Sequence, residues 1–175
     1  MKPESRIKIA RISALIIVVL LSIMIFSIRN QAEKYAVFGY PGIFFLSFLA
    51  YATVLLPAPG IAIVFTMGSI FHPLAVALSA GAGAALGETF GYIAGFSTQG
   101  IIENSNIYQN LLNWMRKNGP ITILMISVIP NPFFDIAGVV AGALKFPIKK
   151  FLIWCWIGET IKMCFFAYTG FKILK

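Results

Sequence analysis

From residue 35 to residue 71 the chain carries no Asp, Glu, Lys or Arg, and two further stretches, 12–28 and 73–87, are likewise uncharged. Apolar runs of 18 or more residues read as membrane spans, because water cannot solvate them and lipid can. The rest of the composition follows suit. Apolar residues make up 59% of the chain and charged residues 11%, against about 25% charged in an ordinary soluble domain. The sequence reads as one all-α membrane domain, 1–175.

Prolines cut the apolar runs into pieces. Residues 10–28 are long enough to span, with Arg29 behind them and no small-x-small cleavage site, so they read as a retained N-terminal span rather than a signal peptide. The arm 41–56 ends at Pro57-Ala58-Pro59-Gly60, and a second arm, 61–71, stops at His72-Pro73. Proline lacks the amide donor and restricts the residue before it, so neither helix continues through. Each arm is shorter than the ~20 residues a crossing needs. The pair reads as a re-entrant hairpin, whose broken backbone is tolerated at membrane depth only where it is buried in protein or lines a wet cavity. Residues 73–97 then cross.

The order recurs. After a mixed segment, 101–118, an arm 119–129 meets Pro130-Asn131-Pro132, a second arm 133–144 ends near Pro147, and 151–171 crosses. Pro57 and Pro130 are 73 positions apart, Pro73 and Pro147 are 74 apart, and the triplets Gly87-Glu88-Thr89 and Gly158-Glu159-Thr160 are 71 apart. The repeats are therefore 41–97 and 119–171. Each contributes one full span, so the second is inverted relative to the first, the arrangement of many transporters. In 101–118, Ile107, Leu111, Trp114 and Met115 share a helical face and Asn110, Asn113, Arg116 and Lys117 lie elsewhere, which predicts an amphipathic helix at the interface.

The net charge of +8 does not point to nucleic acid, because the basic residues collect at the ends of apolar segments. With a cytoplasmic N-terminus, Lys2, Arg6, Lys8, Arg11, Arg116, Lys117, Lys145, Lys149 and Lys150 fall inside and Arg29, Lys34, Lys172 and Lys175 outside, which obeys the positive-inside bias and suits contact with anionic head groups. Cys155 and Cys164 are nine residues apart on one helix, about 14 Å, too far for a disulfide.

Glycines at 83, 87, 91 and 95 allow close helix approach. Packing explains them; it does not explain Glu88 in their midst. A carboxylate near the centre of a span costs roughly 2.5–3.5 kcal/mol on insertion scales, and must face the interior, find a partner or take a proton. Tyr92, one turn on, is placed to share a hydrogen bond with it. Glu159 has Lys162 three residues later on its own face, where a salt bridge is the plain account. Asp135, just past the second proline break, either caps the arm that follows or joins Glu88 and Asn131 on the wall of a polar cavity.

Catalytic signatures are poor. His72 is the sole histidine, Leu86 stands where a dinucleotide fingerprint needs its third glycine, and no zincin or nucleophile-elbow motif occurs. One metal-free, cofactor-free membrane protein that is not an enzyme is the expectation.

The glycine-rich segment Gly83–Gly95 with Glu88 and Tyr92, and the run Pro130-Asn-Pro132-Phe-Phe-Asp135-Ile-Ala-Gly138, resemble the DedA family, also called the VTT-domain or SNARE-associated Golgi protein family. The likeness covers about residues 40–172. It implies lipid translocation or scrambling, and in bacterial relatives the recycling of a polyprenyl-phosphate carrier coupled to the proton motive force. Glu88 and Asp135 match acidic positions of the family pattern; Pro130, Pro132 and Gly138 match its second hairpin. Bacterial members carry arginines around that break, whereas residues 118–147 here hold none. Arginine's fork is the natural grip for a phosphate, so its absence weighs toward a general phospholipid or a divergent branch.

The expectation is thus a multi-pass cell-membrane protein that moves a phospholipid or lipid phosphate between leaflets. Glu88, Tyr92, Asn131, Asp135, Glu159 and Lys162 would form the substrate and proton pathway. Pro57, Pro59, Gly60, Pro130, Pro132 and Gly138 would shape the hairpin breaks. Lipids are the expected partners, with protons and a second copy of the chain as candidates. A proton-coupled carrier of a small solute and a non-transporting scaffold are the alternatives.

Overall fold

The computed structural model describes residues 39–52, 59–97, 106–130 and 134–174. The expected N-terminal span at 10–28 and the break residues Pro57, Asn131 and Pro132 lie outside them. Among the described residues all regular structure is helical: α1 (Gly39–Ala52), α2 (Pro59–Ile70), α3 (Pro73–Gly87), α4 (Thr89–Ser97), α5 (Asn106–Val128), α6 (Phe134–Ala143) and α7 (Ile148–Leu174). Two stretches are long and apolar enough to cross a membrane: Pro73–Ser97, made of α3 and α4, and Ile148–Leu174.

Proline sets where helices begin. Pro59 opens α2 and Pro73 opens α3 at the first helical position, where a missing amide costs nothing. His72 takes an extended conformation before Pro73 and its carbonyl accepts the first bond, from the Val76 amide at 3.1 Å. The amphipathic segment and the arm at 119–129 are two helical pieces of α5, parted where Asn118 leaves helical geometry at φ −148 and ψ 67. Pro120 then sits in the first turn of the restarted helix, and the Thr122 hydroxyl donates to the Asn118 carbonyl at 2.9 Å. Of the face expected to be apolar, Leu111 and Met115 are buried against the protein and Trp114 is 61% exposed. An indole at the rim of a membrane domain sits well among head groups, so it turns outward.

α6 closes with the Lys145 amide bonded to the Gly142 carbonyl and the Phe146 amide to the Ala141 carbonyl, each at 2.9 Å. This is a Schellman motif with Lys145 at φ 52, the position that glycine usually takes. A side chain in that left-handed region is strained. Lys145→Gly is therefore expected to stabilise the protein by about 1 kcal/mol, read as a higher melting temperature in detergent.

The interior is built of small residues. The buried positions of α3 are Pro73, Val76, Ala77, Ala80, Gly81, Gly83, Ala84, Ala85 and Gly87, while Leu74, Leu78 and Leu86 are exposed. On α7 the outward residues include Ile153, Trp156, Ile161 and Phe165, the last 68% exposed. In water that distribution would be reversed; in lipid, tails solvate the large side chains and small ones let backbones meet.

The helices pair in a crossed pattern. α1 lies along α3 and α5 along α7; α2 packs on α7 and α6 packs on α4; α3 and α7 pack on each other. Thus each short second arm rests on the long helix of the other half. α1 and α3 run in the same direction, since Gly83 meets Phe44 and Phe48, and Gly87, one turn on, meets Phe48 and Ala52. At the α4–α6 crossing, Gly95 faces the Val139 carbonyl and Gly142 faces the Tyr92 carbonyl. The glycine stripe therefore serves two partners in succession: α1 ahead of Glu88, and α6 after it.

Candidate functional site

Glu88 occupies the single residue between α3 and α4. The ladder runs on through it: its amide bonds the Ala84 carbonyl at 2.9 Å and its carbonyl accepts from the Tyr92 amide at 3.2 Å. Its side chain is nearly wholly buried, the residue being 3% exposed. On α7 the corresponding Glu159 is fully buried, and one turn further Lys162 is 6% exposed. The Lys162 ammonium donates to Glu159 Oε1 at 2.6 Å. Thr160, next to Glu159, meets Gly81 across the contact of the two long helices, and Tyr51 touches both Gly87 and Lys162, so the three groups share one region.

The shorter helices α1 and α6 also reach that region. Tyr51, in the last turn of α1, lies with its ring 5.3 Å from the Lys162 ammonium, a cation–π distance. Its Cβ lies against Gly87, beside Glu88, and its ring lies against Gly60, on the far side of the first break. Tyr51 thereby connects Gly87-Glu88-Thr89 to Glu159 and Lys162. On the other side, Gly138 of α6 lies beside the Glu88 carbonyl, Gly91 and the Tyr92 amide.

The expected residues divide into three groups. Glu88, Glu159 and Lys162 come together. Gly60 on α2 meets Tyr51, Gly138 on α6 meets Glu88, Pro59 opens α2, and Pro130 is exposed just past the end of α5. Asp135 belongs to the first turn of α6, its side chain outside the described set, as are Asn131, Pro57 and Pro132. Tyr92 is the correction. Its hydroxyl donates not to Glu88 but to the Phe146 carbonyl at 2.6 Å, because its ring leans away to pack on Phe151 and Phe96. Its role is to tie α4 to the α6–α7 connection.

Tyr51 was not foreseen. The one signal for it is an aromatic residue a turn or two before the first Pro-x-Pro break. Two buried hydroxyls, Ser47 Oγ and Thr160 Oγ1, have no hydrogen-bond partner, and Thr160 faces Gly81 across the α3–α7 contact. Among the described residues no group of His, Cys, Asp or Glu is placed to hold a metal ion. What the arrangement offers, among the described residues, is two buried carboxylates and a buried ammonium in a setting that holds charge poorly and can exchange a proton.

Residues 56–172 match the protein family described as the VTT domain. No curated protein and no solved structure matches the chain.

Proposed function

The chain belongs to the VTT-domain family, the DedA or SNARE-associated Golgi proteins, and on that premise we propose that it moves a phospholipid or lipid phosphate between bilayer leaflets. The observation that carries the reading is the buried cluster of Glu88, Glu159 and Lys162 near the middle of both long helices, approached from each side by a short arm. α1 and α2 are about 21 and 18 Å long at 1.5 Å per residue, short of a core of about 30 Å. On this reading they form one re-entrant hairpin, the latter part of α5 with α6 forms the other, and the crossed pairing of arms and spans reflects two inverted repeats. The N-terminus is cytoplasmic, and the chain catalyses no bond-making step.

The head group travels along a furrow between the hairpin tips while the acyl tails stay in lipid. Lys162 supplies the cation that the arginine-free second hairpin does not, as a point charge for a phosphate. The buried carboxylates take up and release a proton as the head group passes. Buried acids at the meeting of two long helices also favour a second reading, proton-coupled carriage of a small solute.

Leaflet exchange of a labelled phospholipid in proteoliposomes separates these. Glu88→Gln is expected to slow exchange by at least tenfold, the size of a single proton-transfer or charge-placement contribution, without loss of folded protein. Solute uptake with no lipid exchange would transfer the assignment to a carrier, and neither activity would leave a scaffold.

A further inference from the structure

Five exposed cations converge at one end of the helical bundle. Arg116 and Lys117 stand just ahead of the α5 bend, and Lys145, Lys149 and Lys150 flank the connection from α6 to α7. These segments are far apart in sequence, but the Phe146 ring lies against Gly119 and brings them together. No described acidic side chain offsets them. Glu88 and Glu159 are buried, and the first turn of α7 holds no acid. Trp114, one turn back on α5, is exposed, which marks this end as lying at head-group level.

We propose that this end is a docking surface for anionic lipid head groups, at the mouth of the second hairpin. Five positive charges with no countercharge among the described side chains favour a negative surface, and the exposed indole fixes which one. A membrane leaflet presents phosphates at the depth where Trp114 sits, whereas a soluble anion has no use for the indole. Each cation near a charged leaflet strengthens binding about fivefold, so the group concentrates anionic lipid where the hairpin begins. The surface needs no transport to act, so a failure of leaflet exchange would leave it standing.

The test is melting of the purified full chain in neutral detergent, titrated with phosphatidylglycerol, phosphatidylcholine or inorganic phosphate. Phosphatidylglycerol is expected to raise the melting temperature and the other two to leave it unchanged, with the rise lost at high salt. The variant R116Q/K117Q/K149Q/K150Q is expected to weaken the phosphatidylglycerol response by roughly six-hundredfold in concentration, while K172Q, at the opposite end of α7, keeps it. An equal response to phosphatidylcholine, a full response to phosphate alone, or an unchanged response in the variant would each overturn the proposal. Should that variant not fold, the salt dependence of the wild-type response decides alone, and a salt-independent rise would overturn it.

Discussion

Lys162→Met is expected to destabilise the protein by about 3–5 kcal/mol, the cost of leaving a buried partner charge behind. Glu159 is wholly buried and its Oε1 takes the ammonium at 2.6 Å. Without that ammonium the carboxylate loses a short charge-assisted bond in a buried place, where it takes a proton or holds its charge at greater cost. Removing both groups, as Glu159→Leu with Lys162→Met, is expected to recover most of the lost stability, since an apolar pair of similar size often does as well as a buried ion pair. Melting in detergent reads both variants. If the single variant is as stable as the parent, Lys162 is not the counter-charge. Leaflet exchange is expected to be lost in the double variant even where stability returns, which separates a functional pair from a structural one.

A second large effect is expected at the α4–α6 crossing. Gly142→Leu places a Cβ on the Tyr92 carbonyl oxygen and 2.7 Å from the Phe96 amide nitrogen. Both are helix backbone and cannot swing aside, so the helices must separate, at a cost above about 3 kcal/mol. The control lies one turn earlier. A Cβ at Gly138 would meet the Tyr92 nitrogen at 3.4 Å and the Glu88 carbonyl at 3.5 Å, ordinary contact distances. Gly138→Ala is therefore expected to be neutral or to stabilise by up to about 1 kcal/mol through helix propensity. Yield of monodisperse protein and melting temperature distinguish the pair; equal losses would mean the crossing is not as close as described.

The parts of this fold that were legible in the sequence obey one-dimensional rules. Pro59 and Pro73 start helices because a ring-locked φ and a missing amide suit a first turn. Apolar length marks the crossings at 73–97 and 151–171. The burial of Glu88 and Glu159 could be anticipated because lipid cannot hold a carboxylate cheaply. What stayed hidden depends on the third dimension. Periodicity put Trp114 with Leu111 and Met115, but it could not say that the latter two meet protein while the indole faces outward. Tyr92 faced Glu88 on a helical wheel, yet its hydroxyl bonds Phe146, 54 positions away. Tyr51 belongs to no motif, and its place between Gly87, Gly60 and Lys162 arises only when α1 meets both long helices.

The crossed pairing of arms and spans has a consequence for how the chain is made. When α2 and α4 leave the ribosome, the helices they rest on, α7 and α6, have not been synthesised. A water-soluble protein in that condition would expose two sticky faces and aggregate while it waited. Here the acyl tails cover both faces about as well as the missing helices will, so the bilayer itself keeps the unfinished half safe until its counterpart arrives.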